Sequence, residues 1–196
     1  MTQEDKYSKV IVQLLKEKFK EKYPKLNIKN KEQILIGITC GFRKNNIKMI
    51  FQSAEQDIVI YLEDYNYNIN IKENDFVSSF SKSLPHGKVL IPLIIFEVKN
   101  KSVITHAVRQ YSEIARMVKS VFPFCMYNFL LLNFKDPNHE VDKIYMASKN
   151  FDRIIYEPEF NYENPEEVVN KILIIIEQHI EYLKNDKFFR LSKFLV

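Results

Sequence analysis

Glu97 and Lys99 stand two residues apart at the end of an apolar run, Leu93-Ile94-Ile95-Phe96, just before the polar turn Asn100-Lys101-Ser102. Side chains alternate faces along a strand, so the acid and the base share one face with Leu93 and Ile95, while Phe96 and Val98 point the other way. A strand this apolar is expected to be covered on both sides, and charges there need a partner that offsets their desolvation. A hard cation held by oxygen ligands is one such partner. A second carboxylate for it is Asp57, which opens another apolar run, Asp57-Ile58-Val59-Ile60-Tyr61-Leu62. An ordinary strand-end salt bridge is the other reading, because a Glu-x-Lys tripeptide also arises by chance.

The order of elements around these residues decides what could position them. After Lys99, Ile104, Ala107, Val108, Tyr111, Ile114, Ala115, Val118 and Phe122 recur at three- and four-residue steps, the mark of one buried helix face. Ser102 or Thr105 is expected to cap its start and Pro123 to end it. Residues 124–132 are again apolar, so strand, helix and strand read as a β-α-β crossover with a parallel pair. Upstream, Tyr7, Val10, Ile11, Leu14, Leu15 and Phe19 predict an amphipathic helix ending near Pro24. Alternation at residues 34–40 predicts a strand, Arg43-Lys44-Asn45-Asn46 a turn, and Ile47, Met49 and Phe51 a second strand ahead of the Asp57 strand.

Asp57, Glu97 and Lys99 in this order resemble the PD-(D/E)xK nuclease superfamily, whose restriction-endonuclease-like fold is an α/β domain with an α-β-β-β-α-β core and a mixed sheet flanked by helices. The resemblance covers about residues 5–133. Gln56 precedes Asp57 where the family often has Pro, and 39 residues separate the two acids, which implies an insertion. The resemblance implies Mg²⁺-dependent hydrolysis of DNA phosphodiester bonds, with Mn²⁺ as a substitute ion. Asp57 and Glu97 would hold one or two ions with the backbone carbonyl of Val98, and Lys99 would orient the attacking water and stabilise developing charge. Gln110 matches a glutamine that some branches place on the helix after the catalytic strand, although its position beside the apolar stripe also suits a solvent-facing residue. Glu17 or Glu21 would supply a further carboxylate from the first helix, as in parts of the family.

The rest of the chain reads as elaboration, residues 134–196, on a single nuclease domain spanning 1–196. Residues 143–147 and 153–157 are expected as short strands. Asn164-Pro165-Glu166-Glu167 marks a helix start, and Val168, Val169, Ile172, Ile175, Ile176, Ile180 and Leu183 its wide apolar face. That face and the apolar tail at Phe188, Phe189, Leu191, Phe194 and Leu195 are expected in part at a two-fold interface; the other reading is that they close the domain's own core. Residues 64–88, rich in Asn, Ser, Tyr and Lys, form either a DNA-reading insertion or a polar surface loop.

Composition excludes several classes. No segment approaches a membrane span and no signal peptide opens the chain, so a cytoplasmic protein is expected. Cys40 and Cys125 both fall on apolar segments and are expected to be buried thiols; four scattered histidines predict no metal site, and three glycines form no nucleotide-binding motif. The net charge of +4 is spread along the chain, which suits approach to phosphates without identifying them. A small type II restriction-type dimer is the leading expectation. Its rivals are a repair or recombination nuclease such as a junction resolvase, and a non-catalytic DNA-binding subunit of the same fold.

Overall fold

The computed structural model describes residues 2–43, 46–62, 67–68, 77–80, 88–134 and 140–185. Its elements run α1 (Gln3–Lys22), β1 (Leu26–Arg43), β2 (Asn46–Leu62), β3 (Tyr67–Asn68), β4 (Val77–Phe80), β5 (Lys88–Val89), β6 (Pro92–Asn100), α2 (Thr105–Val121), β7 (Met126–Leu132), α3 (Glu140–Ala147), β8 (Arg153–Glu157) and α4 (Glu166–Asn185). One mixed sheet has the order β1-β2-β6-β7-β8, with β4 pairing alongside β2; β3 and β5 form a separate pair. The pairs β1–β2 and β2–β6 are antiparallel, and β6–β7 and β7–β8 are parallel. The α-β-β-β-α-β order is therefore present as α1, β1, β2, β6, α2 and β7, with β3 to β5 inserted between the strands that carry the two acids.

Helices cover both faces, which explains why the central strands are continuously apolar. On one face Ile11, Leu15 and Phe19 of α1 and Val169, Ile172, Ile176 and Ile180 of α4 pack with Ile58, Ile60, Ile94, Phe96, Leu130 and Leu132. On the other, Ala115 and Val118 of α2 pack with Val59, Tyr61, Ile95 and Tyr127, and Val108 with Phe129, Leu131 and Ile144 of α3. The parallel step from β6 to β7 through α2 matches the crossover read from the sequence.

Several expectations are corrected. The segments expected as separate strands at 47–51 and 57–62 are one strand, β2, and Asp57 lies well inside it rather than at its start. The intervening Gln52-Ser53-Ala54-Glu55-Gln56 has no apolar alternation, but its backbone pairs with β1, Gln52 with Gly37 and Ser53 to Gln56 with Leu35 to Glu32, and β1 itself begins at Leu26. Beyond a bulge between Leu35 and Gly37, Ile38, Thr39 and Cys40 are exposed, so Cys40 is not a buried thiol; Cys125 is. Residues 143–147 belong to helix α3, not a strand, since a short run with Ile144 buried fits either period. Neither Ser102 nor Thr105 caps α2: its N-cap is Ile104, with no side-chain cap bond.

The α4 face read from the sequence is buried at every predicted position, but by the chain's own core rather than by a second copy. The tail residues 188–195 and most of the 64–88 insertion lie outside the described residues. Among the described residues, no helix is long and apolar enough to cross a membrane.

Candidate active site

Pairing between β2 and β6 runs inward from Ile58↔Phe96, so the strands part just where Asp57 and Glu97 face each other. The backbone bond that pairing would supply is replaced by a side chain: Val98 N–H donates to Asp57 Oδ2 at 2.9 Å. Lys99 Nζ then joins the two acids, 2.8 Å from Glu97 Oε1 and 3.9 Å from Asp57 Oδ2. Asp57, Glu97 and Lys99 are thus brought together, with both carboxylates buried and the ammonium mostly so. Val98 is buried between them, its N–H already committed to Asp57.

Each side of the fork is closed by a helix. From α2, the ring centroid of Tyr111 lies 4.4 Å from Lys99 Nζ, a cation–π contact that helps hold the ammonium. Gln110, its neighbour, is exposed; the α2 residue that meets the site is Tyr111. From α1, Glu4 approaches Lys99 at 3.7 Å and accepts from the Asn100 N–H at 3.2 Å. Glu17 accepts a bond from Gln13 on the exposed side of α1, and Glu21 is also exposed, so the acids that α1 brings to the site are Glu4, beside Lys99, and Asp5. Their signal lay in Thr2-x-x-Asp5, a capping box in which Thr2 N–H donates to Asp5 Oδ2 at 2.9 Å and Asp5 N–H to Thr2 Oγ1 at 3.2 Å. That box starts the helix at Gln3, four residues before the apolar stripe, and so places Glu4 and Asp5 in its first turn.

Sequence reasoning also missed Lys31. It sits on β1 between the pairs Asn30↔Ile58 and Glu32↔Gln56, where the ladder skips a step opposite Asp57. Its φ is 58°, a left-handed conformation that costs a non-glycine residue on the order of 1 kcal/mol or more. Three carboxylates hold it there: Asp57 Oδ1 at 2.6 Å, Asp5 Oδ1 at 3.2 Å and Glu55 Oε1 at 3.6 Å. Asn30 Nδ2 braces the turn by donating to the Asp57 carbonyl at 2.9 Å and to Ser8 Oγ at 2.7 Å.

The electrostatics follow from burial and crowding. Burial first, then repulsion from Asp57, pushes Glu97 up to about 7 despite the attraction of Lys99. Burial would lower Lys99 and Lys31, but the carboxylates outweigh it and hold both above the ordinary lysine range. Burial, then Glu97 and Asp57, raises Tyr127, whose hydroxyl donates to the buried Gln56 Oε1. Glu4, Asp5, Glu55, Asp57 and Glu97 together outnumber the lysines Lys31, Lys99 and nearby Lys9.

Among the described residues, no group of three or more His, Cys, Asp or Glu side chains converges into a metal cage. Two buried carboxylates in an acid-rich fork would suit an ion that keeps most of its waters, as Mg²⁺ does. The residues fit that ion by type and by charge.

No family model and no curated protein matches the chain. Among solved structures, the native BbvCI A2B2 tetramer is similar, with a TM-score of 0.48 and 11% identity over 79% of this chain. The chain spans 59% of the length of that one.

Proposed function

We propose that the chain is a metal-dependent deoxyribonuclease, with Asp57, Glu97 and Lys99 as its catalytic set and a small restriction-type endonuclease as its class. One observation carries this reading: two buried carboxylates from different strands converge on Lys99 at the point where the strands diverge, with Lys31 on the far oxygen of Asp57. Lys31 and Lys99 would suffice to pair Asp57 and Glu97, yet Glu4, Asp5 and Glu55 crowd the same two ammoniums, and gathering that much acid beside buried carboxylates costs free energy unless the negative charge has a use.

Asp57 and Glu97 are the residues that would hold Mg²⁺, with Mn²⁺ as an alternative and the Val98 carbonyl as a further oxygen. The bound ion would polarise the phosphoryl oxygen and lower the pKa of a coordinated water. Val98 N–H and Lys99 fix the orientation of the Asp57 carboxylate. Tyr111 and Glu4 hold the Lys99 ammonium beside Glu97, where it orients the attacking water and offsets the charge that develops on the phosphate. Ionisation of Glu97 is required for either role, and its raised pKa means that cation binding and deprotonation proceed together.

DNA is the substrate in this reading, and cutting both strands from one site per chain calls for two copies acting together. A non-catalytic DNA-binding subunit is the second reading, favoured by the engagement of both Asp57 oxygens by Lys31, Lys99 and Val98. Incubating the protein with plasmid, linear and branched DNA in Mg²⁺ distinguishes these. Discrete fragments are expected; nicks confined to branch points would assign a junction resolvase, and DNA binding without cleavage would assign the non-catalytic subunit.

A further inference from the structure

We propose that Lys31 is a resident counter-cation: its ammonium occupies Asp57 Oδ1 in place of a divalent ion and yields that oxygen when the ion binds. The inference rests on the metal-binding reading above.

Lys31 and Lys99 stand on opposite oxygens of the same carboxylate, but they are held differently. Lys99 is confined between Glu97, Glu4 and the Tyr111 ring and is 13% exposed. Lys31 is 35% exposed and lines an open cleft of about 550 Å³ with Thr2, Glu4, Asp5, Lys9, Asn30 and Glu55. Its two other carboxylates, Asp5 and Glu55, lie on that cleft, so the ammonium can leave Asp57 without losing all its partners. The left-handed backbone at Lys31, which breaks the β1–β2 ladder opposite Asp57, belongs to the bound arrangement. In that arrangement the ammonium meets Asp57, Asp5 and Glu55 together.

Two consequences follow from this geometry. The metal-free fork keeps its charges paired, and any ion that binds must first displace a 2.6 Å ion pair, so Lys31 lowers the apparent affinity. Once displaced, the ammonium stays on the cleft wall, where it would meet the phosphate of a bound strand as a point charge.

The test is Mn²⁺ binding to the full chain, followed by electron paramagnetic resonance and by the rise in melting temperature at saturating Mn²⁺. Lys31→Met is expected to bind on the order of tenfold tighter than wild type, the effect of removing one part-buried ion pair. Lys31→Arg, which keeps the charge, should stay near wild type. Lys31→Gly removes the same charge and relieves the backbone; it serves where the methionine variant folds poorly, and is expected to show the same tightening. Unchanged or weaker binding in the charge-removed variants, with wild-type binding abolished by Glu97→Gln, would overturn the role of Lys31 alone. If no variant binds Mn²⁺, or if binding ignores Asp57→Asn and Glu97→Gln, the metal-site reading falls with it.

Discussion

At the scale of the residue, Glu97 makes the sharpest prediction because its titration separates folded from unfolded. In the fold it ionises near pH 7 rather than at its ordinary 4.5, so between these values the folded chain binds the extra proton. Its contribution to stability is complete below pH 4.5 and lost as the pH rises to about 7. Denaturant unfolding of the metal-free protein should therefore show stability falling across that window, a slope that Glu97→Gln lacks. A second residue-scale prediction concerns the Tyr127–Gln56 pair, both buried. Tyr127→Phe removes the hydroxyl and leaves Gln56 Oε1 with no partner, which should cost about 1–3 kcal/mol of stability. Asp57, Glu97 and Lys99 were legible in the sequence because each borders an apolar run and their order resembles a known nuclease pattern. Lys31 was not, since a lysine among Asn, Lys and Glu on a polar stretch carries no periodic signal, and its role depends on a backbone φ that only the fold shows.

At the scale of the element, α2 and α4 were readable because each buries one stripe at helical spacing, and β6 and β7 because each is a short run apolar on both faces. The failures have more than one cause. Where polar residues interrupt the pattern, as at 52–56, backbone pairing with a neighbouring strand continues the element without any help from side chains. The first turn of α1 is a further case, since its signal is a cap rather than a stripe, and that cap delivers Glu4 and Asp5 to the site. Thr2→Ala should cost about 1 kcal/mol of stability. It should also loosen the Glu4 and Asp5 contacts, seen as amide hydrogen exchange of the first turn rising well beyond that of Phe19 at its far end.

At the scale of the whole molecule, the two helical layers flank a charged fork that opens where the inner strands β2 and β6 diverge. Because α4 is spent on the chain's own core, Ile176→Ala should behave as a core truncation, costing about 2–5 kcal/mol of stability. Light scattering at micromolar concentration should show its oligomeric state unchanged; a dimer that dissociates on this substitution would return α4 to the interface. The central claim is that Asp57 and Glu97 support hydrolysis of DNA through a shared ion. The rate of plasmid cleavage in Mg²⁺, compared with EDTA and across wild type, Asp57→Ala, Glu97→Gln and Lys99→Ala, tests it most directly. Wild type should cleave only with the metal, and each variant should lose roughly a thousandfold or more while keeping its fold, the effect of several kcal/mol of lost transition-state binding. Full activity in any two of the variants, or cleavage undiminished in EDTA, would contradict it.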